Sequence, residues 1–141
     1  MIVLSWLQRR LEREVKKAGT NNPFEIASSK NIIVNYFPLG NTLGFYMKHV
    51  RHQVITINSD IDESLQRFVC AHELGHAVLH PDKSTPFLYK NTLLSTAKIE
   101  CEANKFAVNL LLFGENLQNY ETIYQAMRVF GIPNGMEKFL I

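Results

Sequence analysis

Apolar residues recur every three or four positions at Val3, Leu4, Leu7, Leu11 and Val15, the spacing that puts one face of a helix against a core. Gly19 ends that run as a residue suited to a left-handed helix cap. Asn22-Pro23 then reads as a cap followed by proline in the first helical turn, opening a second helix through about Ser29. From Asn31 to Asn58 the pattern changes. Ile, Val, Tyr, Phe and Thr dominate, broken at Pro38-Leu39-Gly40-Asn41 and at Lys48-His49-Val50-Arg51-His52, which predicts two or three antiparallel strands. In the last of these, Gln53 to Asn58, Val54 and Thr56 alternate against Ile55 and Ile57, and this strand is a candidate sheet edge for binding an extended peptide.

Helical spacing returns at Leu65, Phe68, Val69, His72, His76 and Leu79. Asp60 or Asp62 caps the start, where acidic residues meet the positive end of the helix dipole, and Pro81 closes the segment. A further stripe, Ala103, Phe106, Ala107, Leu110 and Leu111, predicts a helix over 97–112. A last helix spans Thr122 to Phe130, stopped by Gly131 and Pro133. The fold class expected is α+β, with a small antiparallel β-sheet packed beside the central helices and flanked by N- and C-terminal helices.

Within the central helix lies His72-Glu73-Leu74-Gly75-His76. Four residues make slightly more than one helical turn, so both imidazoles project from one face. Two neutral histidines so placed can share a zinc ion at about 2.0–2.1 Å. Glu73 sits about 100° around the helix from His72, within reach of a water on that ion, as a general base requires. A catalytic zinc usually has a third protein ligand. His80 is a poor candidate, about 12 Å along the axis from His72 if the helix continues. Its expected place is the helix C-terminus, bonding free carbonyls. Glu100 falls on the apolar side of the 97–112 helix, whereas Glu102 lies about 200° away and should face solvent. Phase therefore favours Glu100 over Glu102. Asn104, one turn after Glu100, is placed to hydrogen-bond the non-ligating nitrogen of one histidine. For a group that stabilises an oxyanion, Tyr89, His49 and His52 are the candidates.

Taken together, His72-Glu73-Leu74-Gly75-His76-Ala77-Val78-Leu79-His80 and Glu100-Cys101-Glu102-Ala103-Asn104-Lys105-Phe106-Ala107-Val108-Asn109-Leu110-Leu111 resemble the ImmA/IrrE family of metallo-endopeptidases. So do Val54-Ile55-Thr56-Ile57-Asn58, Arg67-Phe68 and Phe130-Gly131-Ile132-Pro133, and the likeness covers roughly residues 30 to 135. The resemblance implies a zincin-like site with zinc on His72, His76 and Glu100, and Glu73 as general base. It implies a cytoplasmic endopeptidase that cleaves a helix-turn-helix repressor of a phage or mobile element, controlling lysogeny. Two departures stand out. Leu111-Leu112-Phe113-Gly114 replaces the family's frequent Leu-Leu-Met-Pro, which bears on helix termination, and the chain ends soon after Pro133, which bears on a C-terminal substrate-binding region.

Composition narrows the alternatives. The 141 residues predict one domain over 1–141, and 46% hydrophobic with 20% charged residues excludes a disordered chain. A net charge of +2 is too small to suggest direct nucleic-acid binding. The basic run Arg9, Arg10, Arg13, Lys16 and Lys17 is interrupted by Glu12 and Glu14, as on a solvated helix face. Ile2 to Leu7 is too short for an export signal, and its charges follow instead of precede. No apolar run reaches the length of a membrane span. Two cysteines, Cys70 and Cys101, do not make a disulfide scaffold, and a reduced, cytoplasmic compartment fits them. The competing functional class is a non-catalytic protein that sequesters a repressor or other partner.

Overall fold

The computed structural model describes residues 5–84, 86–88 and 95–141. Tyr89, Val3 and Leu4 lie outside them. Helix α1 (Trp6–Ala18) opens on a capping box, in which the Ser5 hydroxyl accepts from Gln8 N and the Gln8 side chain accepts from Ser5 N. It ends at Gly19 with φ +73, a left-handed conformation that costs glycine little. Helix α2 (Pro23–Ser29) is capped by Asn22, whose side chain accepts from Phe24 N. The two are tied by Glu14, which is buried and accepts from Lys30 Nζ at 3.0 Å and Arg10 Nε at 3.2 Å.

Three strands follow, β1 (Ile33–Phe37), β2 (Thr42–His49) and β3 (His52–Asn58), with a fourth, β4 (Pro86–Leu88), after the next helix. The sheet order is β1-β3-β2-β4. The α+β class is as expected, but the sheet is mixed instead of wholly antiparallel, because β1 pairs with β3 in parallel, Ile33 opposite Val54. Local turn signals read Pro38–Asn41 as a break between antiparallel strands. In the fold that link crosses the end of β3 instead. Asn58 holds it there: buried, it donates its amide to Gly40 O and Thr42 O at 3.1 and 3.0 Å. The expectation that Gln53 to Asn58 is a sheet edge is therefore corrected. β3 is interior, and among the described residues β1 and β4 are the edges.

Helix α3 (Glu63–Leu79) is capped by Asp62, which accepts from Leu65 N at 2.8 Å. Every residue from Phe68 to Val78 is buried, as in a helix enclosed by neighbours on all sides. One neighbour is the sheet, which comes so close at Gly44 that a Cβ there would lie 2.6 Å from Val69 Cγ1. The other is helix α4 (Lys98–Leu111), which meets α3 at Gly75. A Cβ on Gly75 would be 3.2 Å from Ala103 Cα and from Phe106 Cβ. Small residues thus allow α3 and α4 to approach closely. Helix α5 (Ile123–Val129), capped by Thr122, and short 3-10 turns at Leu117–Asn119 and Glu137–Phe139 complete the chain. None of the described helices is long and apolar enough to cross a membrane.

Candidate metal centre

Where α3 faces α4, three side chains converge. His72 Nε2 and His76 Nε2 are 3.2 Å apart. The Glu100 carboxylate, from α4, approaches His76 Nε2 to 2.6 Å and His72 Nε2 to 3.6 Å. Donors on a tetrahedral zinc ion, at about 2.0–2.1 Å from the metal, stand about 3.3 Å from one another. Two imidazoles and a carboxylate are ligands that suit a divalent transition ion. Glu73 belongs to the same cluster: one ligand atom each from His72, Glu73 and His76 lie within 4.8 Å of one another.

The electrostatics divide the two carboxylates. Glu73 is wholly buried, and neither of its oxygens has a hydrogen-bond partner among the described residues. Burial pushes its carboxyl well above the usual range, and the charge of Glu100 adds to the rise. Burial acts on Glu100 in the same direction, but hydrogen bonds and charge from His72 and His76 overcome it and hold Glu100 well below the carboxylate range. Burial lowers the pKa of His72 and so favours its neutral form, partly opposed by Glu100. A buried carboxyl with no partner beside two inward-facing nitrogens is a cost that a bound cation and its water would relieve. The residues present fit a metal ion.

Around this cluster the histidines are held from behind. His72 Nδ1 donates to Asn104 Oδ1 at 2.8 Å, the contact that helix phase predicted. Phe87 of β4 packs against the same ring, centroids 4.4 Å apart, and no sequence signal marked that short strand. His80 departs from expectation. It is the C-cap of α3, as foreseen, but its ring meets side chains instead of carbonyls. Its Nδ1 lies 3.2 Å from His76 Nδ1, and its Nε2 lies 2.8 Å from Glu102 Oε1. Glu102 accordingly turns toward α3 and is not simply a solvent-facing carboxylate. His49 and His52 pair across the β2–β3 turn and are exposed. Neither joins the group gathered about His72. Both cysteines are free. Burial pushes the Cys70 thiol far up, with Glu73 adding to the rise, so it stays a protonated core residue.

A model of the IrrE N-terminal-like domain of the M78 peptidases matches residues 27–136, the stretch that holds the sheet, α3 and α4. The chain belongs to this ImmA/IrrE family of metallopeptidases. Among its relatives is an uncharacterized immunity region protein 2 of Bacillus phage phi105, 40% identical over 131 residues, which are 92% of this chain and 83% of that one. Another is the metallopeptidase ImmA of Bacillus subtilis (strain 168), 32% identical over 108 residues. That match takes in 75% of this chain and 63% of ImmA, so it leaves more than a third of ImmA's own length unmatched. The family and the His-Glu-His cluster together support a metal cofactor.

Proposed function

We propose that the chain is a zinc-dependent endopeptidase, with His72, His76 and Glu100 holding the ion and Glu73 as the catalytic base. The observation that carries this reading is Glu73 itself, wholly buried beside two imidazole nitrogens, with both oxygens unpartnered among the described residues. A purely structural ion would need no such carboxylate. When bound, zinc supplies Lewis acidity toward water and toward a peptide carbonyl. Burial gives Glu73 a proton affinity above that of a carboxylate in water, which makes it the stronger base. Its carboxylate takes a proton from the attacking water and carries it to the nitrogen of the departing peptide. His72 and His76 offer their Nε2 lone pairs to the ion, and Asn104 fixes the His72 ring. Substrate backbone adds along β4, the sheet edge that adjoins the centre through Phe87.

The substrate in this reading is a helix-turn-helix repressor of a phage or mobile element, cut in the host cytoplasm to release lysogenic control. The family resemblance and a phage relative named for an immunity region support it. The test is to mix the purified chain with a candidate helix-turn-helix repressor, with and without a chelator. We expect fragments that chelation abolishes, and a Glu73→Gln variant that binds zinc yet yields none. A stable complex without fragments in both conditions would favour sequestration instead. Cleavage by Glu73→Gln at the parent rate would remove Glu73 from the base role.

A further inference from the structure

We propose that His80 and Glu102 act as a positioning pair, holding the His76 ring so that its Nε2 faces the metal. The inference rests on the reading of His72, His76 and Glu100 as the ligand set.

His76 Nε2 lies 3.2 Å from His72 Nε2 and 2.6 Å from Glu100. As a ligand it offers its lone pair there, so with the ion bound the ring's one N–H stands on Nδ1, 3.2 Å from His80 Nδ1, which accepts it. His80 in turn donates from Nε2 to Glu102 Oε1 at 2.8 Å, so the pair holds the ring from behind. Asn104 does the same for His72 from the other side, since an amide oxygen only accepts. Helix α4 thus carries Glu100 together with both anchors, Glu102 and Asn104.

The ring of His80 is not needed to end the helix. Its backbone N–H donates to His76 O at 2.7 Å, a bond any residue except proline makes, and Pro81 prevents continuation. The backbone at Pro81 is secured separately, by the Tyr46 hydroxyl donating to Pro81 O at 2.7 Å. The side chain of residue 80 is free to serve the centre. His80 is nearly buried and Glu102 about three-quarters buried, with side chains 9% and 24% exposed, so water competes poorly for these bonds.

The test uses the full chain stripped of metal. Zinc affinity is measured by competition with a chromophoric chelator, and the ring protons of His76 by long-range 1H–15N correlation. Partners of this kind contribute about 10–100-fold to metal affinity. We expect His80→Phe to raise the zinc Kd by about that factor and to move the His76 Nδ1–H signal of the zinc-loaded chain, whose proton loses its acceptor. His80→Asn, whose Oδ1 occupies the Nδ1 position as an acceptor, should restore most of both. Glu102→Ala should follow His80→Phe in direction, and it decides the matter if His80→Phe does not fold. A parent-like Kd and parent-like His76 nitrogen shifts in the folded variants would overturn the pair's role while leaving the ligand set standing. A parent chain that binds no zinc would bring down the ligand set, and this inference with it.

Discussion

Both carboxylate oxygens of Glu73 are buried with no hydrogen-bond partner among the described residues, so the metal-free fold bears a desolvation cost that an amide of the same shape would lessen. Because the folded-state pKa is raised above the unfolded value, the folded chain binds the extra proton. That cost is absent below the ordinary carboxylate range and grows as pH rises toward the folded pKa. Glu73→Gln is therefore expected to melt at a higher temperature than the parent in the metal-free state at pH 8, with the gap narrowing toward pH 5. A parent that melts higher at pH 8 would contradict this. A residue that lowers stability where chemistry is placed fits a trade of stability for activity. Much of this was legible in the chain. Two histidines four apart with a glutamate after the first specify one helical face, and phase alone separated Glu100 from Glu102 on α4. The His80 contacts were not legible. Past the end of a helix the direction of a side chain depends on the cap's own φ and ψ, here −136 and 57, and on where another helix lies.

Between α3 and α4 the decisive position is Gly75, which helix propensity alone would disfavour by about 1 kcal/mol against alanine. Its reason is the approach of α4, since a Cβ would sit 3.2 Å from Ala103 Cα and 3.3 Å from Ala103 O. Backbone atoms must then yield by a few tenths of an ångström, and Glu100 moves with them. Ligand constellations tolerate errors of only about 0.5 Å. Gly75→Ala should thus leave the metal-free melting temperature near the parent's, as propensity offsets crowding, while weakening zinc binding by about tenfold, or about 1.4 kcal/mol. Calorimetric titration with zinc checks it, and an unchanged affinity would show that α4 is not positioned by this contact. Helices like these were readable because their apolar periods are local. The strand order was not. Pro38–Asn41 carries ordinary turn residues, and nothing near it in sequence reveals that β3 will insert between β1 and β2. That placement depends on Asn58, some twenty residues on, whose amide secures the crossing link.

The chain brings together donors from residues 72–76 and from residue 100 by clamping α3 between the sheet and α4, with the protein's buried side chains gathered around that clamp. Folding alone must hold Glu100 against His72 and His76, although α3 and α4 are joined only through β4 and the segment following it. A zinc ion bonded to both helices would add a link that the unfolded chain lacks, because the three donors are far apart when α3 and α4 separate. Binding that selects the folded state stabilises it by about 2.7 kcal/mol at a free zinc concentration 100 times Kd. For a chain of this length that corresponds to a rise of about 10 °C in melting temperature. The rise should grow with the logarithm of zinc concentration, vanish on chelation, and persist in Glu73→Gln, which keeps all three donors. In Glu100→Ala it should largely disappear, since two histidines on one helix hold an ion without joining that helix to its neighbour. Thermal melts of the three proteins across a zinc series read all of these outcomes. A full shift in Glu100→Ala would mean that zinc stabilises the fold through α3 alone, and that α4 contributes no ligand.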